Sequence, residues 1–255
     1  MPISILEKYV CEKKADKYAD IVNEEFGKTP NDIIQQTLSE YANPSKSGSD
    51  TPSHAKVTSR LMAVMVDAIN AKHPGTFTEY QKQSLIVGSM LHDIGKIAVP
   101  VSILDKPGRP TQEEFDRIKT HTVIGNRIIG NWLKTESLTD FQRKSLEYAQ
   151  QMACYHHERP DGNGYPLGMS ASEIPYVAKM MAVVDVMEAL TAQRAYKDPM
   201  SFEKAESIIK EGAGKQFDAE LVDIFFSNSQ AREEMNNIIN DGRAEKMNAY
   251  IEEER

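Results

Sequence analysis

Leu91-His92-Asp93-Ile94-Gly95-Lys96 sets a histidine beside an aspartate at the C-terminal end of an apolar, helix-like stretch. Two neighbouring residues can reach one metal centre, and the carboxylate has a spare oxygen with which to bridge a second ion. His54, His121, the pair His156-His157 and Asp185 stand at separated positions around this doublet, and of the six histidines only His73 falls outside the pattern. Imidazole and carboxylate together suit divalent first-row transition metals. Taken singly, each histidine reads as an ordinary core or surface residue. Taken jointly, with a glycine-rich turn after each doublet, they point to a metal-dependent hydrolase with more than one ion.

Outward from the doublet the periodicity is helical throughout. Residues from about 53 to 71 carry Val57, Leu61, Met65 and Ala68 on one face. Thr78-Glu79-Tyr80-Gln81 has the form of a capping box, and the helix it opens is expected to run to the His92-Asp93 pair. Thr111-Gln112-Glu113-Glu114 is a second such box, followed by a stripe of Phe115, Ile118, Gly125, Ile128 and Trp132 that includes His121. Further helices are expected near 143–157, 173–193, 201–211 and 218–229, with no convincing strand pattern and no internal repeat. The fold class is therefore all-α. Residues 1–43 read as a helical N-terminal appendage, 44–53 as a linker or loop, 54–230 as the main domain, and 231–255 as a charged C-terminal helix.

Composition narrows the partners. The chain has 255 residues with 30 Lys plus Arg against 38 Asp plus Glu, a formal charge of −8. Such a surface is a poor general binder of nucleic-acid polymers, so a small anionic substrate needs a local cationic site. Two cysteines, Cys11 and Cys154, are too few for a disulfide framework and lack zinc-site spacing, which fits a reducing cytoplasm. No apolar run approaches a membrane span, and charge comes too early at the N-terminus for a signal peptide.

The longest motif is His156-His157-Glu158-Arg159-Pro160-Asp161-Gly162-Asn163-Gly164-Tyr165-Pro166. Together with His92-Asp93-Ile94-Gly95-Lys96, it resembles the HD-GYP family, a branch of the HD-domain metal phosphohydrolases. The likeness runs from about 54 to 225 and takes in Lys106-Pro107-Gly108, Asp185-Val186-Met187-Glu188-Ala189-Leu190-Thr191 and Arg194-Ala195-Tyr196-Lys197. The resemblance implies an HD-type helical bundle that hydrolyses bacterial cyclic di-GMP to pGpG or GMP. It implies metal ligands at His54, His92, Asp93, His121, His156, His157 and Asp185. His54 lies in His54-Ala55-Lys56-Val57-Thr58, which departs from the family's usual pattern after that histidine.

Asp93 is expected to bridge two ions, one completed by His54, His92 and Asp185 and the other by His121, His156 and His157. Asp50, one turn before His54, is either a ligand to a third ion or a helix cap. The histidine-rich set favours iron or manganese, with nickel, cobalt and zinc as open alternatives, over magnesium. The resemblance implies Lys96 on the scissile phosphate and Tyr165 at the substrate, and Arg194 and Lys197 fit a second phosphate or a guanine edge. Two other readings stand beside this one. The first is a phosphohydrolase of another cyclic dinucleotide or nucleotide. The second is a sensing or protein-docking module that uses the Gly-Tyr-Pro loop without turnover. Homodimerisation stays open.

Overall fold

The computed structural model describes residues 50–104, 106, 108–134, 137–192 and 198–253, with side chains within the span His54 to Arg243. The expected N-terminal appendage, the start of the linker, and Arg194 and Lys197 lie outside the described residues. So does the side chain of Asp50.

Among the described residues the architecture is helical, with two isolated β-bridges and no strand. The order is α1 (Asp50–Lys72), α2 (Glu79–Ser89), a 3-10 helix (Ile94–Ala98), α3 (Val101–Leu104), α4 (Gln112–Trp132), α5 (Asp140–Tyr155), α6 (Tyr176–Thr191), α7 (Phe202–Glu211), α8 (Ala219–Ser227) and α9 (Ser229–Glu253). Helix α1 starts at Asp50, which corrects the end of the expected 44–53 linker: residues 50–53 already belong to the helix. Pro52 is tolerated there because the first turn's N–H groups have no intrahelical partner. Both expected capping boxes form. Thr78 pairs reciprocally with Gln81 and Thr111 with Glu114, and Thr139 does the same with Gln142 at the start of α5.

The end of the next helix is corrected too. Helix α2 stops at Ser89, so His92 and Asp93 lie in a turn before the 3-10 helix rather than at the helix end. Gly95 explains this path. A Cβ there would stand 1.9 Å from the carbonyl oxygen of His121, so only glycine lets the turn lie against α4.

Two apolar clusters flank the site. Leu61, Met65 and Ile69 of α1 pack with Met180, Val183 and Met187 of α6, Phe225 of α8 and Met235 of α9. On the other side Val87, Ile128, Ile129, Trp132, Leu146 and Ala153 join α2, α4 and α5. Helix α9 makes one further tie. Arg243 Nε donates to the carbonyl of Thr191 at 3.0 Å, and its Nη2 donates to that of Met200. The Met200 N–H in turn donates to Leu190 O at 3.0 Å. Among the described residues no helix is long and apolar enough to cross a membrane.

Candidate metal centre

Five elements deliver the site residues. Helix α1 supplies His54, the turn after α2 supplies His92 and Asp93, α4 supplies His121, the end of α5 supplies His156 and His157, and α6 supplies Asp185. All seven converge. His54, His92 and Asp93 present donor atoms within 4.8 Å of one another, as do His121, His156 and His157, and as do His92, His156 and Asp185.

The Asp93 carboxylate divides its oxygens between the two sides. Its Oδ2 lies 3.4 Å from His92 Nε2 and 3.7 Å from His54 Nε2. Its Oδ1 lies 3.4 Å from His121 Nε2 and 3.8 Å from His156 Nε2. Asp185 Oδ1 stands 3.5 Å from His54 Nε2 and 3.7 Å from His92 Nε2. Donors about 2.0–2.2 Å from one ion stand roughly 3–3.5 Å apart, so these spacings fit shared ligand shells.

Three of the rings are held by backbone carbonyls. The Nδ1 atoms of His92, His121 and His156 lie 2.7, 2.6 and 2.7 Å from the carbonyls of Ser89, Ile118 and Met152. A carbonyl can only accept, so Nδ1 carries the hydrogen in all three rings and Nε2 is the atom that faces the centre. Asp93 Oδ1, His121 Nε2 and His156 Nε2 are buried and have no hydrogen-bond partner. Orphaned buried polar atoms are costly, and three around one space fit a cation there. Asp50 cannot be placed at this centre, its side chain lying outside the described residues.

The charges agree. Burial pushes His121 and His156 down, and His157 down to about 3, which keeps these imidazoles neutral and able to ligate. Burial also opposes charge on Asp93, but His92 and Lys96 outweigh it and hold the carboxyl well below its usual range. Asp185 is likewise held low against burial, by His92 and His54. For His92, burial is outweighed by Asp93 and Asp185, and its value rises to about 10. The two largely buried carboxylates thus favour positive charge in the centre, a proton on His92 Nε2 or a metal ion in its place.

Lys96, on the 3-10 helix, pairs with Asp93 Oδ2 and keeps part of its side chain exposed. Tyr165 stacks on His157 with ring centroids 4.6 Å apart. Its loop is tight: the Tyr165 N–H donates to His157 O at 3.1 Å, and a Cβ on Gly164 would meet Arg159 N at 2.4 Å. The Tyr165-Pro166 bond is cis. Burial raises the Tyr165 phenol far above its ordinary value, so it stays protonated.

Two acids carry roles that the sequence reading left unassigned. Buried Glu188 accepts from His54 Nδ1 at 2.6 Å, so a carboxylate does for His54 what carbonyls do for His92, His121 and His156. Its signal was available: Glu188 is one turn after Asp185 in a helix that is otherwise almost wholly apolar. Buried Glu158 accepts from the N–H groups of Leu167 and Met169 at 2.6 and 2.8 Å and closes the Gly-Tyr-Pro loop. No local periodicity announces that role.

Comparison with known proteins agrees with this geometry. The family described as HD domain matches residues 47–221. A probable cyclic di-GMP phosphodiesterase of Vibrio cholerae is 36% identical over 71% of this chain and 39% of its own length. A cyclic di-GMP phosphodiesterase of Thermotoga maritima is 42% identical over 53% of this chain and 34% of its own. A 3'3'-cGAMP-specific phosphodiesterase of Vibrio cholerae is 35% identical over 53% and 24%. The chain thus spans about two fifths or less of the length of these curated relatives.

Proposed function

Because the chain belongs to the HD-domain family, we propose that it is a metal-dependent phosphodiesterase that hydrolyses cyclic di-GMP to pGpG or GMP in the bacterial cytoplasm. The observation that carries this reading is the division of Asp93, one oxygen toward His54 and His92 and the other toward His121 and His156. His54, His92 and Asp185 would hold one divalent transition-metal ion, and His121, His156 and His157 the other, with Asp93 between them. Iron or manganese suits this donor set, and Asp50 is the candidate for a third ion. Bound there, the ions would withdraw charge from the phosphoryl oxygens and lower the pKa of a bound water from about 15.7 toward about 7.

The chain's own groups do the rest. Lys96 trades its contact with Asp93 for a phosphate oxygen and positions the diester. Tyr165, kept protonated by burial, donates a hydrogen bond to the substrate. Arg194 and Lys197 bind the second phosphate or a guanine edge, since only one phosphate can occupy the centre during a cleavage. The exposed tip Asp161-Gly162-Asn163 offers a protein partner a place to dock without obstructing this chemistry.

A second reading, hydrolysis of 3'3'-cGAMP, is favoured by the relatives named for that substrate. Elemental analysis of anaerobically purified protein, paired with turnover of both cyclic dinucleotides, tests the proposal. Two or more ions per chain and release of pGpG or GMP are expected. Metal loading without turnover of either dinucleotide would refute the enzymatic reading.

A further inference from the structure

An aromatic run leads out of the metal centre and ends on a ring in solvent. His157 stacks on Tyr165 at 4.6 Å, and the Tyr165 ring also lies 6.4 Å from that of His121. Phe115 of α4 meets Tyr165 edge-on at 6.2 Å. Phe115 shares a helical stripe with Ile128 and Trp132, which are buried, yet 40% of it is exposed. A single exposed aromatic is ordinary on a protein surface. What sets Phe115 apart is its position, one aromatic contact beyond a tyrosine that touches the ring of a buried histidine of the centre. Lys119 holds its ammonium over the Phe115 ring, 5.3 Å from the centroid, and is itself paired with Asp116 at 2.5 Å. The ring face is therefore reached by the tip of a flexible side chain, and a planar group can take that place.

We propose that Phe115 is a stacking platform for a purine base of the substrate, seated when that nucleotide's phosphate occupies the metal centre. A nucleobase lies one ribose away from its phosphate, and Phe115 lies one tyrosine away from the histidines. Every base has a π-face, so the platform contributes affinity for nucleotides over other phosphate esters. Lys119 then has the acceptor edge of a guanine, O6 and N7, within its reach. The inference rests on reading the centre as a nucleotide-phosphate site, but its test does not depend on turnover.

The experiment compares binding of GMP with binding of ribose 5-phosphate to the metal-loaded full chain by calorimetry. The two ligands differ by the base alone. In wild type, GMP should bind about 5- to 100-fold more tightly. Phe115→Leu and Phe115→Ala should bring the ratio close to one while ribose 5-phosphate binds as before, and Phe115→Trp should keep the ratio. A wild-type ratio near one overturns the inference, as does a ratio that survives Phe115→Ala. Equal loss of both ligands in Phe115→Leu also overturns it, because Phe115 would then be supporting the fold. Failure of wild type to hydrolyse any cyclic dinucleotide would instead count against the enzymatic reading and leave the GMP comparison standing as its own measurement.

Discussion

Asp93 and Lys96 touch each other, yet their losses should differ in kind. Asp93→Ala removes a carboxylate whose two oxygens face two sets of imidazoles. It should empty most of the centre and abolish turnover, which metal analysis and a phosphodiesterase assay would show together. Lys96→Ala should retain the metal and slow hydrolysis about 10²-fold or more, as expected when a donor to a developing charge is lost. Metal loss in Lys96→Ala would mean that this lysine serves the centre and not the phosphate. Glu188 gives a subtler case. Glu188→Gln keeps the volume but weakens the hydrogen bond to His54, and metal affinity should fall about 10- to 100-fold. Titration with a competing chelator measures that fall directly, and unchanged affinity would leave Glu188 a packing residue.

At the scale of elements, Gly95 and the α4 carbonyl of His121 hold the turn that carries His92 and Asp93 against its neighbour. Gly95→Ala should push the turn off α4, cost about 1–3 kcal/mol of stability and lower metal content. Chemical denaturation and elemental analysis report the two effects separately, and a variant with normal melting and full metal would contradict the packing account. The same turn shows what sequence could and could not supply. Helix positions and both capping boxes were legible, because amphipathic spacing and Thr-x-x-Gln or Thr-x-x-Glu patterns are local signals. The seven centre residues were legible through their types and motifs. The end of α2 at Ser89 was not, because it depends on how closely a distant helix approaches Gly95. The exposure of Phe115 was not legible for a related reason. Periodicity says which side of a helix a residue occupies, but not that Tyr165, fifty residues on, would leave it at a rim.

Across the whole molecule, α7 and α9 are tied by Glu206, whose carboxylate receives Arg232 Nη2 at 2.6 Å and Lys210 at 2.6 Å. Burial would raise the Glu206 value, but these two cations outweigh it and hold it below the ordinary 4.5. A lowered carboxylate value gives stability that is fully present above the unfolded value and is lost as pH falls through the folded one. Glu206→Gln should therefore lower Tm at pH 7 by about 2–4 °C, equivalent to about 1 kcal/mol for a partly exposed pair, and by much less at pH 3. An equal deficit at both pH values would assign the effect to packing. Arg243 acts over the same span. By holding the carbonyls of Thr191 and Met200, while Met200 also bonds to Leu190, it brings together the two ends of the segment that carries Arg194 and Lys197. A segment with pinned ends is free to diverge. Each doubling of its length would cost only about 0.6 kcal/mol and would not disturb the helices that hold the histidines. If Arg194 and Lys197 take the substrate roles proposed for them, descendants of this chain would exchange one nucleotide preference for another by rewriting a few residues between two fixed points, with the histidine cluster left unaltered.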